Sequence, residues 1–564
     1  MSQGSVVVQY KPTKAAMKSF VAHAKLISSI TFLSRILGMA RESIAANYFG
    51  ANAVYSAFTF AFTVPNLFRK LLGEGALSAA FIPLYAQAVK HEQDGIVSEI
   101  SANDFAAASV NLLCAILMVL TVVGELSLLL FVWLVPMRAD RLLAMQLTMI
   151  MLPYVLLVCG AAFIGSILQV HHRFAAITFT AVVSNVCLII AMIAAARTHD
   201  LKTDAGQLAA VKWLSVSVLI AGVLQIAILL PSLRAVGFRF RAMLHFMTPA
   251  VRRMIQMTIP VALSAGVLQI STLMDKAIAF YFSRSDDYPT MNLLGHVIRL
   301  PMKEGATQRL NWAQYLYQFP LGVFAIALAT AIFPKLSAHA MDKGRENFKS
   351  VLRQGLEASL FIGLPASIGM IVVRYPAVRL LFQHGNFTAE DTRLVALSTA
   401  IYSAAIWAFS LQQILNRAYY ALHDTTTPLI WGIVNLVLNV AIEMPLLWTH
   451  LAESAMAVGT LASFSIQAVA MMWMLNRRVG GMELSRSFGP IAKMIAASAL
   501  MWIACVTVQY LRIFPHGNGK MIWLNQLAIL MIVGGAVYFG ACAAMGIDVL
   551  KHIRKTNRLI EQAN

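Results

Sequence analysis

The stretch FAAASVNLLCAILMVLTVVGELSLLLFVWLV, residues 105–135, decides the class of protein. A helix that crosses a lipid bilayer needs about 20 consecutive, mostly apolar residues, and this stretch is longer than that. The rest of the chain has the same character, since 59% of the 564 residues are apolar and 12% are charged. Mean hydropathy is +0.71. A soluble protein of this length would need far more charged surface, so the sequence predicts an all-α integral membrane protein and excludes soluble enzymes.

Fourteen runs of this kind follow one another along the chain, which predicts about 14 transmembrane helices. Their approximate spans are residues 21–47, 51–84, 105–135, 142–170, 175–196, 209–232, 254–282, 312–334, 353–373, 394–421, 428–449, 452–476, 489–511 and 521–546. An even number of spans puts both termini on one side of the membrane. Counting Lys and Arg in the connecting segments, with Arg353, Arg417 and Lys493 added on the side of the termini and Lys212 on the other, gives 24 and 14. The excess of positive charge predicts that both termini are cytoplasmic.

The net charge of +19 is explained by this topology. Basic clusters lie in the segment after the sixth span and in the C-terminal tail, and they indicate orientation signals and contacts with anionic membrane lipids rather than nucleic-acid binding. The clusters are Arg234, Arg239, Arg241, Arg252, Arg253 and Lys551, Arg554, Lys555, Arg558. The five cysteines all lie in apolar runs without CxxC spacing, which indicates buried apolar side chains rather than disulfides or zinc ligands. The N-terminus shows no pattern of a cleavable signal peptide.

A weak internal repeat predicts the domain organisation. AFIPLYAQA (Ala80–Ala88) resembles AIFPKLSAHA (Ala331–Ala340), and Pro83 and Pro334 are 251 residues apart, a distance of six spans. Such a repeat is typical of transporters with two lobes that hold substrate between them. The predicted divisions are a cytoplasmic segment (1–20), an N-lobe (21–235), a C-lobe (236–480) and two further helices with a tail (481–564).

Charged residues inside membrane spans are costly, so they indicate function. In the first span, Ser34, Gly38 and Arg41 lie on one stripe by i, i+4, i+7 spacing, and Arg35 lies above Glu42 by the same spacing. Two faces of this helix therefore carry a positive charge.

The second span adds Arg69, Lys70 and Glu74 after Pro65, which is expected to kink the helix. The excess of cations over acids in these two spans predicts a cavity for an anionic substrate, with phosphate as the leading candidate because Arg binds it through two hydrogen bonds. The alternative is that these charges serve helix packing. Arg41 would then pair with residues next to Glu42, or Lys70 would form an ion pair with Glu74.

A second polar set lies in the other half of the chain. Asp275 and Lys276 lie in the seventh span, Asn435, Asn439 and Glu443 follow i, i+4, i+8 spacing in the eleventh, and Thr460 lies in the twelfth. These side chains predict a site for sodium or a proton relay, or else polar contacts between helices with Asp275 paired to Lys276. No catalytic motif is present, and His171 and His172 are interpreted as interfacial residues.

Five blocks of the sequence resemble the MviN/MurJ family of lipid II flippases, in family order and over essentially the whole chain. The blocks are SRILGMARESIAANYFGA (Ser34–Ala51), VPNLFRKLLGEGALSAAFIPLYA (Val64–Ala86), FPLGVFAIALATAIFPKLS (Phe319–Ser337), LFQHGNFTAEDT (Leu381–Thr392) and RAYYALHDTTTPL (Arg417–Leu429). The resemblance implies the fold of the multidrug/oligosaccharidyl-lipid/polysaccharide exporters. It also implies two six-helix lobes, with two further C-terminal helices that would form a groove for a polyprenyl tail.

The resemblance also implies site residues. The cavity arginines of the family match Arg35, Arg41 and Arg69, and its acids match Glu42 and Glu74. Lys70 adds a further cation to the predicted substrate-binding set.

The implied sodium site maps to Asp275, Asn435, Asn439, the backbone of Met456, and Thr460. An acid of that implied set is Asn439 here, which argues against sodium.

This chain departs from the family pattern at two other places. Gln314 and Tyr315 stand where many members have an acid and an arginine, and Ser56 replaces an early acid of the second span. The long loop 283–311 contains Arg299, Lys303 and Arg309, which could restore the missing charge.

Within that loop, the apolar residues Leu293, Leu294, Val297 and Ile298 predict a short amphipathic helix on the outer membrane surface. Arg309 is then expected near the outer opening of the cavity, or alternatively among lipid headgroups.

The sequence thus predicts a monomeric transporter, not an enzyme, in the bacterial cytoplasmic membrane. It would move lipid II from the inner to the outer leaflet by alternating access, with no cofactor and with sodium or the membrane potential as driving force. The alternatives are a flippase of the same fold for another polyprenyl-pyrophosphate glycan, a cation-coupled drug antiporter, and a membrane-embedded glycosyl or phosphoryl transferase. The basic first and second spans argue against the antiporter, and the lack of a carboxylate cluster suited to metal argues against the transferase.

Overall fold

The computed structural model describes residues 14–95, 101–241, 247–285, 288–293, 295–342 and 345–547. Nearly all of this part of the chain is helical, as the long apolar runs predict. The helices are α1 (Lys14–Tyr48), α2 (Ala53–Phe68), α3 (Leu77–Gln93), α4 (Ala102–Leu134), α5 (Ala139–Met151), α6 (Tyr154–Val170), α7 (Phe174–Thr198), α8 (Asp204–Ala235), α9 (Pro249–Tyr281), α10 (Ala306–Pro320), α11 (Ile326–His339), α12 (Glu346–Phe382), α13 (Ala389–Ala404), α14 (Ile406–Ala421), α15 (Thr426–Leu446), α16 (Ala455–Arg478), α17 (Ser485–Tyr510) and α18 (Lys520–Ala544). A 3₁₀ turn, Ala452–Ser454, precedes α16.

Within the described residues, nine helices are long and apolar enough to cross a membrane. The count rises to eleven if each of two bent pairs, α5 with α6 and α13 with α14, is one span. Helices also form at the three other predicted spans, as α1, as α2 with α3, and as α9. These three carry the charged residues of the predicted substrate-binding set, and also Asp275 and Lys276. The count of fourteen stays a prediction.

The helices form two compact units. One comprises Met1–Ile44 and Ala61–Ala265, and the other Ala45–Phe60 and Gly266–Asn564. In the second unit, α17 and α18 pack against each other and against α12. The core of this unit is apolar and includes buried Phe348, Phe361 and Tyr538, whose hydroxyl donates to the carbonyl of Phe361. Grouping by contacts does not test the lobe boundaries at residues 235 and 480, which stay predictions.

Both units contain a helix interrupted by a wider π-helical segment. The first, π1 (Arg69–Ala76), joins α2 to α3, and the second, π2 (Leu321–Ala325), joins α10 to α11. Pro83 and Pro334 are 251 residues apart, and the same sequence offset aligns residues 70–74 with residues 321–325. The predicted repeat therefore extends to a matching irregularity, and such segments are frequent at functional sites.

The loop after α9 contains a β-hairpin, so the predicted amphipathic helix is wrong. Strands β1 (Thr290–Leu293) and β2 (His296–Arg299) pair antiparallel, with Met291 opposite Ile298. The apolar spacing that fits a helix fits two short strands equally well. Gly295 decides between them, since its φ of +85° suits a tight turn, and the β-branched Val297 and Ile298 favour a strand.

The segment that joins α1 to α2 belongs to the second unit and packs closely against two glycines of the same unit. Asn386 donates from its backbone and side-chain nitrogens to the carbonyls of Asn47 and Tyr48, at 3.0 and 2.6 Å. Gly305 and Gly385 have positive φ, and a Cβ atom on either would overlap a backbone carbonyl oxygen, of Ala51 and of Asn47 respectively. Only glycine therefore fits at both positions.

Candidate substrate and ion sites

Arg41 lies at the centre of a polar contact between α1 and α7 in the first unit. Its guanidinium donates to Glu42 Oε1 at 2.7 Å and to Asn185 Oδ1 at 3.1 Å. The Arg41 and Glu42 side chains are 13% and 5% exposed. A charge held this deeply in a membrane helix needs partners, and the neighbouring acid supplies one of them.

The predicted stripe of Ser34, Gly38 and Arg41 faces one residue, Asn185. The Asn185 amide donates to the carbonyl of Ser34 at 3.2 Å and to that of Ala181 at 3.1 Å. A Cβ added at Gly38 would lie 3.8 Å from the same amide, so the glycine leaves room for Asn185 against α1. Sequence reasoning missed Asn185, although it is a lone amide in the apolar run of α7.

The remaining predicted residues of the substrate set lie on α1 and π1. Arg35 is half-buried on α1, and Arg69 opens π1, where its Nε donates to Asn66 Oδ1 at 2.9 Å. Lys70 follows in π1, and the side chain of Glu74 lies outside the described residues. Whether the three arginines act on one ligand stays a prediction, as does the pairing of Lys70 with Glu74.

A second polar group surrounds Arg309 in the second unit. Glu453 accepts from Arg309 Nε at 2.9 Å and from Nη2 at 2.7 Å, and Asp391 accepts from Nη1 at 3.1 Å. The carbonyls of Glu304 and Lys303 accept the other two N–H groups, at 2.8 and 3.2 Å. All five donors of the guanidinium are therefore used within the protein.

This arrangement excludes two roles considered for Arg309, while its place near the outer opening of the cavity stays a prediction. The residue is 3% exposed, so it does not lie among lipid headgroups. Two carboxylates balance its charge, so it does not replace the arginine that is absent at Tyr315. Lys303 pairs with Glu390 at 3.1 Å, and the carbonyl of Arg299 accepts from Trp448 at 3.2 Å.

Gln314 and Ser56, two positions that depart from the family pattern, both lie in the second unit. Gln314 donates to the Tyr402 hydroxyl at 3.4 Å, and Tyr402 stacks on Tyr317. Ser56 is buried, and its hydroxyl has no hydrogen-bond partner among the described residues. Near Ser56, the N-terminus of α2 is capped by a residue far away in the sequence. Glu304 Oε1 accepts a hydrogen bond from the Ala53 amide at 2.9 Å.

The polar set of α9 and α15 forms a contact between these helices. Asn439 Nδ2 donates to Asp275 Oδ1 at 2.9 Å and to Glu443 Oε2 at 3.2 Å. Lys276, which the packing alternative paired with Asp275, donates to Asn311 at 3.1 Å. The members on α15 are buried, with Glu443 0% and Asn439 2% exposed, and Asp275 is half-buried.

The arrangement does not fit the implied sodium site. Sodium needs oxygen ligands, but Asn439 presents its nitrogen to Asp275. Thr460 Oγ1 is turned to its own helix and donates to the carbonyl of Met456 at 3.0 Å. Asn435 is buried beside them, with no hydrogen-bond partner for its Nδ2 among the described residues. Across the described part of the chain, no group of three His, Cys, Asp or Glu could hold a metal ion.

A family model described as lipid II flippase MurJ matches residues 45–527. The chain belongs to this family. It is 31% identical over 549 residues to the probable lipid II flippase MurJ of Rhizobium meliloti, covering 95% of this chain and 96% of that protein. It is 30% identical over 417 residues to the lipid II flippase MurJ of Burkholderia cenocepacia, covering 71% of this chain and 73% of that protein.

Solved structures of two transporter types share the fold of this MurJ family member. A lipid II flippase MurJ in an inward closed conformation matches with a TM-score of 0.71 at 21% identity, covering 93% of this chain and 99% of that one. An inward-facing multidrug resistance MATE family transporter of the MOP superfamily matches with a TM-score of 0.61 at 14% identity, covering 82% and 99%. At these identities the similarity concerns the fold alone. The predicted exporter fold is confirmed.

Proposed function

We propose that this protein moves lipid II, the undecaprenyl-pyrophosphate-linked peptidoglycan precursor, from the inner to the outer leaflet of the bacterial cytoplasmic membrane. Membership of the MurJ family over most of the chain supports this substrate. The observation that carries the mechanism is the largely buried Arg41, whose guanidinium donates to Glu42 and Asn185 on the helices of the first unit. Transport needs no bond to be made or broken, so the protein acts as a transporter and not as an enzyme.

The chemistry of the substrate matches a basic membrane site. A pyrophosphate carries negative charge that the hydrocarbon region disfavours, and arginine offers it a planar fork of donors. Arg41 would bind it together with Arg35 and Arg69, and Glu42 and Asn185 would fix the orientation of the Arg41 guanidinium. Alternating access between the two sides would then carry the headgroup across.

The remaining properties follow from the same proposal. The protein acts as a monomer in contact with membrane lipids, with both termini in the cytoplasm. The membrane potential drives transport, since moving charge across it supplies about 2.3 kcal/mol per elementary charge per 100 mV. A reporter fused after Asn564 that is active only in the cytoplasm would agree with this orientation, and activity only in the periplasm would contradict it.

The function is tested by depleting the protein from its native cell and measuring lipid II in each leaflet. Accumulation on the inner face, reversed by the wild-type gene and not by an Arg41→Ala variant of equal abundance, is the expected result. An unchanged distribution of lipid II would refute the proposal. Accumulation of a different polyprenyl-pyrophosphate glycan, with lipid II unchanged, would favour the flippase of another glycan.

A further inference from the structure

We propose that Asn439 determines the ion specificity of the polar set on α9 and α15, and that its amide takes the place of a cation, so that this protein does not bind sodium there. The inference concerns the residues around Asp275 and is independent of the transported lipid. Asn439 is then the residue that makes the implied sodium site unfit for sodium.

The geometry puts one nitrogen atom between two carboxylates. Asn439 Nδ2 lies 2.9 Å from Asp275 Oδ1 and 3.2 Å from Glu443 Oε2, so each of its two hydrogens faces one acid. A cation in the implied site would have to approach Asp275, whose Oδ1 the amide already contacts. The amide group therefore already supplies positive partial charge at the position where sodium would bind.

The orientation of the amide follows from its surroundings. If the group were turned over, Asn439 Oδ1 would face the oxygens of Asp275 and Glu443, which is unfavourable unless a cation lies between them. In the observed orientation Oδ1 points towards α16, where a Cβ on Gly459 would lie 3.1 Å from it, and has no hydrogen-bond partner among the described residues. The absence of a side chain at Gly459 leaves room for this oxygen.

The two acids around the amide are Asp275 on α9 and Glu443, which lies one helical turn after Asn439 on α15. The resemblance implies a carboxylate at position 439, and this chain has Glu443 four residues later on the same face of α15. The two acids of the set are kept, but an amide now lies between them. Lys276 adds a fixed positive charge on the same turn of α9 as Asp275 and donates to Asn311 at 3.1 Å.

A single substitution should reverse the specificity. Asn439→Asp removes both N–H donors and brings a third carboxylate against Asp275 and Glu443. A buried group of three acids is strongly unfavourable without a cation, and its oxygens are the ligands that a hard cation prefers. The variant is therefore expected to bind sodium where the wild-type protein does not.

The test measures binding of radioactive sodium to purified protein in lipid nanodiscs, together with the thermal unfolding temperature in NaCl and in KCl of equal ionic strength. For the wild-type protein we expect no saturable binding and equal unfolding temperatures in the two salts. For Asn439→Asp we expect saturable binding and a higher unfolding temperature in NaCl, since a ligand of the folded state stabilises it. Adding Asp275→Asn to that variant should abolish both effects.

Asn416→Asp is the matched control, because it makes the same chemical change on α14, at a half-buried amide whose Oδ1 also has no hydrogen-bond partner among the described residues. It should gain no sodium binding. Sodium binding by the wild-type protein that Asp275→Asn abolishes would overturn the proposal. So would a folded Asn439→Asp variant that binds no sodium, or one that binds it no better than Asn416→Asp. None of these measurements involves lipid II, so their outcome is separate from that of the proposed function.

Discussion

Arg41 and Arg309 are both buried arginines next to acids, yet their surroundings differ in kind. Arg309 is balanced by two carboxylates and donates all five N–H groups to named acceptors. The contacts described for Arg41 are of another kind, since its guanidinium donates to the acid that follows it in the chain and to one neutral amide. An arginine enclosed by two carboxylates stabilises the fold, whereas Arg41 lies on α1 with Arg35, in the basic set proposed to receive the anionic headgroup.

The largest expected effect comes from breaking the Arg309 group. Arg309→Ala leaves Glu453 and Asp391 buried without their cation, which should lower the free energy of unfolding by about 3 to 5 kcal/mol. Thermal unfolding of purified protein measures the loss. Arg393→Ala is the control, because that exposed arginine pairs with Glu390 at the surface and should cost no more than about 1 kcal/mol. Equal losses in the two variants would show that Arg309 stabilises the fold no more than a surface ion pair does, which would contradict its assignment as a structural arginine.

The next effect concerns ligand binding at Arg41. Replacing it with Ala should weaken lipid II binding by about tenfold to a hundredfold, the size of one lost charge-assisted hydrogen bond. Since Glu42 is nearly buried, the measurement is best made on Arg41→Ala combined with Glu42→Gln, against Glu42→Gln alone. Lys at position 41 should restore only part of the affinity. Full binding by the double variant would make Arg41 a structural residue like Arg309.

Gly305 lies four residues before Arg309 and tests how tightly that region is packed. Gly305→Ala should lower the free energy of unfolding by about 1 to 3 kcal/mol, because φ is +81° and the new methyl group would overlap the Ala51 carbonyl. Gly295→Ala has a similar φ of +85° with open space around it. Gly305→Ala should therefore unfold at a lower temperature than Gly295→Ala, and the difference measures the cost of the overlap with Ala51. Equal temperatures would show that the segment around Ala51 moves aside.

The smallest effect is a pH dependence in the first unit, at the joint between α6 and α7. Burial, and then the neighbouring His172, lower the pKa of His171 below its usual value near 6.5. The folded state therefore favours the neutral ring, whose Nε2 lies 3.0 Å from the Tyr85 hydroxyl. This contribution to stability is present above about pH 6.5 and is lost as pH falls towards the folded pKa.

Thermal unfolding at a series of pH values measures this loss. His171→Gln should unfold at a temperature less sensitive to acidification than the wild-type protein. An unchanged sensitivity would assign the pH dependence to other groups.

The sequence predicts well what depends on local periodicity. Apolar runs predict the helices, and i, i+4, i+7 spacing places Ser34, Gly38 and Arg41 on the face that meets Asn185. The same reasoning groups Asn439 with Glu443. The role of the arginines is only implied by the family resemblance and stays a prediction, because no local rule distinguishes a ligand-binding arginine from a structural one.

What the sequence does not predict depends on partners far away in the chain. Arg309 meets Asp391 and Glu453, which lie 82 and 144 residues later. Periodicity within one helix carries no information about such contacts, so the pairing of Arg309 with two acids is not predictable from the sequence. The hairpin was missed for a different reason, because four apolar residues are too few to separate a helix from two strands.

The π segments have a consequence for how substitutions along the second span should be compared. A π-helical turn holds an extra residue, so side chains after Ala76 are rotated by about 100° relative to a continuous α-helix. A helical wheel drawn straight through residues 53–93 would assign α3 to the wrong face. In a scan of substitutions, the sensitive positions of α3 should therefore be out of phase with those of α2, and α11 should show the same phase shift relative to α10.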